Sequence, residues 1–311
     1  MRRLALTTTE AHENVRLDES VAVWLSQALG RPLSKSAVRR LLMAGAVRMG
    51  GSPLRRPGLL LAPGLRLEAR IDEAKLASSG ARDRPAALDA RHVLYEDAAL
   101  VAVDKPPGLP MHATADAARP HLVGLVEALV ASRGGPTPRL GVHQRLDRDT
   151  SGVVLFTKDA AANAPLARAF AAREIEKTYL ALCRRPKTLP PSAWSSRVPV
   201  AGAAAETAFR IREVLPRALL VEARPSTGRK HQIRIHLAEA GMPVLGDDVY
   251  GAGPTRESPR LLLHARRLAL RHPLTGERLV IDSPPPEDFR RALAALRRPA
   301  LSRGRSRRRA R

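Results

Sequence analysis

Phe, Trp and Tyr make up only 3% of the 311 residues, too few for a sheet that stacks several bases on exposed rings. The one cysteine, Cys183, excludes an intramolecular disulfide and a thiolate metal cluster, and points to a reducing compartment. No run of about 18 apolar residues occurs, and the opening MRRLALTTTEAHE has no apolar leader segment. A cytoplasmic protein without a membrane span is expected. Acid is scarce as well: 53 Lys and Arg stand against 30 Asp and Glu, a formal net charge of +23 that calls for an anionic partner such as nucleic acid. Eight arginines and no acid lie between Arg297 and Arg311, and setting them aside still leaves about +15 on the rest. Residues 297–311 are expected to form a disordered basic tail.

Apolar spacing supplies the first structure. Leu17, Val21, Leu25, Ala28 and Leu29 recur at three and four, which predicts a helix stopped by Gly30. A second helix is predicted from Ser34, a good N-cap, with Val38, Leu41 and Leu42 on one side and Lys35, Arg39 and Arg40 elsewhere, ending at Gly45. Val47-Arg48-Met49 meets a Gly50-Gly51 turn, and Leu65, Leu67, Ala69 and Ile71 then alternate with charged residues at the period of a half-buried strand. Residues 14–72 thus read as a small α/β domain with a basic helix. They resemble the small RNA-binding domain named after ribosomal protein S-four, and the resemblance implies that Lys35, Arg39 and Arg40 bind RNA phosphate. Residues 73–90, aperiodic and rich in Ala, Ser, Gly and Pro, read as a linker.

Residues 91–296 read as the second domain. HVLYED and ALVAVDKP predict two strands, and further strands are predicted at 153–157, 177–183, 219–223 and 261–264. Helical patterns run over 122–132, 160–172 and 229–240. Strands outnumber helices without regular βαβ alternation, so the expected class is α+β on a mixed or antiparallel sheet. Three segments stand out in order: HQRLDRDTSGVVLFTKD, EKTYLAL and RPSTGRKHQIRIHLAEAGMPVLGDDVYG. They resemble the signature regions of the RluA-type pseudouridine synthases, and VDKPPGLPMH and LLLHARRLAL agree as well. One departure is that Gln144 separates His143 from Arg145, where the commoner family form is His-Arg-Leu-Asp; Arg145-Leu146-Asp147 stays in register and His143 is left without a role.

The resemblance implies an isomerase that breaks the bond between uracil and ribose, turns the base and rejoins it through carbon 5. That reaction needs no redox change, so no cofactor is expected. It assigns Asp147 as nucleophile or proton acceptor, Arg234 as its guanidinium partner, and Tyr179 as the ring that packs on the uracil with its hydroxyl near the carbon 5 proton that must leave. The target nucleotide must be flipped out, and Arg145 is placed to fill the gap. Each has a plainer reading: Asp147 as a turn residue, Arg234 as neutraliser of Glu239 or Asp247, Tyr179 as packing, Arg145 as a surface cation. His231 and His236 lie about 140° apart on a helix and read as structural rather than as a metal pair. The expected partner is RNA, ribosomal ahead of transfer, bound by a monomer. An inactive RNA-binding clamp or ribosome-assembly protein is the alternative; Asp147, Tyr179 and Arg234 occurring together favour the enzyme, because a mere clamp gains nothing from a carboxylate that repels phosphate.

Overall fold

The apolar stripes of the first helices meet across one small core. Leu17, Val21 and Leu25 of α1 (Leu17–Leu29) and Val38 and Leu42 of α2 (Lys35–Met43) are fully buried against Val47, Leu67 and Ile71. Each such side chain contributes roughly 1.5–3 kcal/mol relative to leaving it in water. Gly30 ends α1 in the left-handed region, where its lack of a Cβ removes the steric cost. The computed structural model describes residues 2–33, 35–73, 88–113, 120–133 and 138–298, apart from the side chains at 35, 36, 40 and 43. The expected N-cap Ser34, most of the expected linker and residues 299–311 lie outside the described residues, as do the side chains of Lys35 and Arg40.

The chain divides into two units, Met1–Arg84 and Pro85–Arg311. In the first, β1 (Arg2–Thr7), β2 (Val47–Met49), β3 (Ser52–Pro53) and β4 (Arg66–Ile71) form an antiparallel sheet in the order β1-β4-β2-β3. The strand β1 precedes the span 14–72 picked out by periodicity. Its two leucines, Leu4 and Leu6, are too few to show a pattern alone, but they pack on the core once β4 offers a free edge. Arg39 lies against α1: its Nε and Nη2 each donate to Asp18 Oδ2 at 3.1 Å, and Arg16 Nε donates to Asp18 Oδ1 at 3.0 Å. Asp18 is 1% exposed, and a buried carboxylate of this kind requires such partners.

The second unit is a mixed α+β fold around a ten-stranded sheet. Its strands are β5 (Val93–Glu96), β6 (Leu100–Lys105), β7 (Gly141–Val142), β8 (Ser151–Thr157), β9 (Glu176–Arg184), β10 (Ala193–Ser196), β11 (Thr207–Val214), β12 (Ala218–Pro225), β13 (Leu263–Arg271) and β14 (Arg278–Asp282). The main path runs β10-β11-β12-β9-β13-β8-β6-β5, with β14 beside β13 and β7 beside β8. Every pairing is antiparallel except β13 with β8. Among the described residues four α-helices accompany it: α3 (Leu122–Ala131), α4 (Ala160–Ala171), α5 (Gln232–Glu239) and α6 (Glu287–Arg297). All seven residues of β8 are buried, which is why its sequence is a continuous apolar run rather than an alternation.

Three differences from the sequence reading have a local physical cause. The strand expected over 261–264 is β13, which begins at Leu263 and runs on to Arg271 through a bulge at Arg266, with Arg266 and Arg267 both pairing with Asp282. The helix expected from 229 starts at Gln232, because His231 takes a left-handed backbone, φ 58°, and breaks the turn before it. Arg297, assigned to the tail, closes α6 and pairs with Glu213 at 2.9 Å. Among the described residues no helix is long and apolar enough to cross a membrane.

Candidate active site

The loop that carries Asp147 enters the sheet at β8, between β6 and β13. Lys105, the last residue of β6, is wholly buried, and its ammonium donates to three carbonyls: Pro106 at 2.9 Å, Leu109 at 2.8 Å and Arg148 at 2.7 Å. Three donors thereby meet three acceptors, and the loop after β6 is tied to the residue following Asp147. Burial pulls the Lys105 pKa down to about 7, while Asp149 and Asp147 pull the other way. Gly108 N–H also donates to the Arg148 carbonyl, at 2.9 Å.

Across the sheet, Lys105, Gly152, Ala265, Tyr179 and Ala223 are successive partners on β6, β8, β13, β9 and β12. Tyr179 therefore stands two strand spacings, about 10 Å, from Gly152 along the backbone ladder. Only glycine fits at 152: φ is +115°, and a Cβ there would lie 2.2 Å from the Ala265 carbonyl oxygen. Gly152→Ala is expected to cost about 3 kcal/mol or more, seen as a lower urea midpoint. A midpoint equal to wild type would mean that β8 and β13 part easily there.

Arg234 comes from α5. Its Nε and Nη2 donate to the two oxygens of Asp247 at 2.8 and 2.7 Å, and its Nη1 donates to Asp147 Oδ2 at 3.0 Å. The Arg234 side chain is 6% exposed, Asp247 0% and Asp147 24%, so one buried fork joins a sealed carboxylate to one that reaches solvent. Asp247 Oδ1 also accepts the Val249 and Tyr250 backbone N–H groups. Burial lowers the guanidinium pKa, but Asp247 and then Asp147 raise it further, and the net shift is upward. Burial likewise opposes ionisation of Asp247, and Arg234 overcomes it to leave the pKa below the ordinary value.

His231 and Tyr250 complete the surroundings. His231 Nε2 is 3.6 Å from Asp147 Oδ1, and its Nδ1 is 3.1 Å from the Tyr250 hydroxyl. The Tyr250 ring lies 5.2 Å under the Arg234 guanidinium. Burial lowers the His231 pKa more than the Asp147 charge restores it, with Arg234 adding to the fall, so the imidazole is neutral at pH 7. Burial and then the charge of Asp147 push the Tyr179 phenol above its ordinary pKa.

The fold thus brings Asp147 and Arg234 into contact, and Tyr179 lies on β9 in the strand ladder that includes Gly152 of β8. Arg145 is exposed, two residues away on the same loop. Sequence reading offered Asp247 only as a surface neutraliser of Arg234, read His231 as structural and passed over Tyr250. Two adjacent acids in the apolar setting of MPVLGDDVYG were the signal for the first. His143 packs against Phe170 with ring centroids 6.3 Å apart, and its Nε2 lies 3.2 Å from Asn163 Oδ1.

Comparison with known proteins shows the family. The family model described as RNA pseudouridylate synthase matches residues 99–239, which include Asp147, Tyr179 and Arg234. An uncharacterized RNA pseudouridine synthase of Mycobacterium bovis is 34% identical over 88% of this chain and 92% of its own length. This chain is an RNA pseudouridine synthase. The ribosomal large subunit pseudouridine synthase C of Escherichia coli K12 is 34% identical over 94% of this synthase and 96% of its own length, and that of Pasteurella multocida 33% over 94% and 93%. Human RNA pseudouridylate synthase domain containing 4 aligns with a TM-score of 0.58 and 26% identity, over 67% of this synthase and 95% of that chain.

Proposed function

We propose that this synthase isomerises uridine in large-subunit ribosomal RNA, with Asp147 as the carboxylate that acts on the flipped nucleotide. The observation that carries the reading is the Arg234 fork, which compensates Asp147 from inside the protein and leaves its other oxygen, Oδ1, toward His231 and solvent. A carboxylate held in one orientation is suited to attack on the sugar or the base, and its buried partner prevents it from turning toward the surrounding cations. Tyr179 stays a neutral phenol and packs on the uracil. The carbon 5 proton then goes to Asp147 or to the imidazole of His231 beside it. Arg145 fills the stack left by the flipped base. The ribosomal assignment rests on the names of the Escherichia coli and Pasteurella multocida relatives.

Release of tritium from carbon 5 of labelled uridine tests the substrate. Release from ribosomal RNA ahead of transfer RNA is expected. Tight binding to every fraction without release from any would favour the clamp.

The first unit is proposed as a phosphate grip that adds affinity without reading sequence. Removing residues 1–84 is expected to weaken RNA binding and to flatten its salt dependence, because the slope falls by about 0.7–0.9 for every phosphate that is no longer neutralised. Equal slopes from 50 to 200 mM salt would remove the first unit from the RNA interface.

A further inference from the structure

A buried chain of polar groups lies behind the Asp147 loop. Ser151 Oγ is 3.1 Å from His264 Nδ1, His264 Nε2 is 2.9 Å from the Ser283 carbonyl oxygen, and Ser283 Oγ donates to Asp104 Oδ1 at 2.9 Å. Ser151, His264 and Ser283 are all at most 1% exposed. A carbonyl oxygen only accepts, so Nε2 carries the proton and Nδ1 offers a lone pair. The Ser151 hydroxyl is then the donor to Nδ1. Burial, acting against the Ser283 carbonyl, lowers the His264 pKa to about 4 and keeps the ring in this neutral form.

The position of this chain suggests more than filling. β8 and β13 are joined by only two register pairs, Ser151 with His264 and Gly152 with Ala265, so one side-chain bond is a large share of the seam. The Thr150 N–H donates to the Asp147 carbonyl at 3.1 Å, which places Asp147 one turn ahead of Ser151. The segment just before His264 holds the opposite half of the site. Leu262 N–H donates to the Leu245 carbonyl at 2.9 Å, and Gly246 lies so close to Arg260 that a Cβ on it would stand 1.8 Å from the Arg260 carbonyl oxygen. Asp247, which grips Arg234, follows directly. Residues 260–265 are therefore a common frame: one end sets Asp247 and Arg234, the other sets Ser151 and Asp147.

We infer that His264 is a positioning residue, which by accepting the Ser151 hydroxyl fixes the distance between Asp147 and Arg234. The inference rests on the reading of Asp147 as the reacting carboxylate. An error of about 1 Å at such a site lowers rates about a hundredfold.

The test compares Ser151→Ala, His264→Gln, His264→Asn and Asp147→Asn in the full chain by single-turnover tritium release from one ribosomal RNA, with RNA affinity measured alongside. The glutamine amide reaches the Ser283 carbonyl but offers Ser151 nothing, whereas the asparagine oxygen stands near the place of Nδ1. Ser151→Ala and His264→Gln are expected to slow release about 10- to 100-fold with unchanged affinity. His264→Asn is expected to recover most of that rate, and the Ser151→Ala/His264→Gln double variant to be no slower than the worse single one. Rates within twofold of wild type for folded Ser151→Ala, or losses that multiply in the double variant, would overturn the positioning role. Should Asp147→Asn remain active, it is the reading of Asp147 that fails; should it be inactive while the other variants are normal, only the role of His264 fails.

Discussion

Arg234→Met is expected to lose about 3–5 kcal/mol of folding stability, the cost of leaving a buried carboxylate without its cation. Asp247 is completely buried and gives both oxygens to the Arg234 fork, while the Val249 and Tyr250 amides satisfy only Oδ1. Methionine keeps the aliphatic stem of arginine and removes the charged head, so the packing of the stem is retained while the charge of Asp247 is stranded. Adding Asp247→Asn is expected to restore part of the stability, because the asparagine oxygen still accepts the two amides and no charge is stranded. Activity is not expected to return with it, since Asp147 remains without its partner. Urea unfolding followed by circular dichroism checks the two stabilities, and tritium release checks the activity. A single variant as stable as wild type would mean that Asp247 finds another partner on losing Arg234.

Asp147→Asn is expected to lower turnover by at least about a thousandfold while leaving the fold intact. The substitution conserves volume, and the asparagine oxygen still accepts the Arg234 Nη1 hydrogen bond. Asp147 is also the more exposed of the two carboxylates on that fork, so its charge contributes less to stability than that of Asp247. RNA affinity is expected to hold or to rise slightly, because a negative charge facing a polyanion has been removed. A variant that loses binding and turnover together would place Asp147 in the loop's structure rather than in the reaction.

Much of this site was legible from residue order. RLDRDTSGVVLF carries the change from a charged loop to a fully buried strand, and the fold places Asp147 at that junction. Gln232, Ile233 and Arg234 of HQIR lie on a helix, and Arg234 donates to Asp147. What residue order did not reveal is the second carboxylate. The sequence separation of 13 between Arg234 and Asp247 is closed by the left-handed Gly246 and by its close packing on Arg260, both tertiary facts. His231 reads as structural when its spacing from His236 is counted along a helix from 229, but the helix begins three residues later, at Gln232. His231 sits outside the helix, with a backbone angle that only its surroundings impose. The long reach of β13 was hidden for another reason. Arg266 and Arg267 look like a loop until Asp282 on β14 is placed beside them.

Single-turnover release of tritium from carbon 5 of uridine in ribosomal RNA, measured for wild type and Asp147→Asn on the same preparation, tests the central claim most directly. The account predicts release by wild type and none above background by the variant, at RNA concentrations where both are fully bound. Equal release by the two proteins would contradict it and move the chemistry away from Asp147.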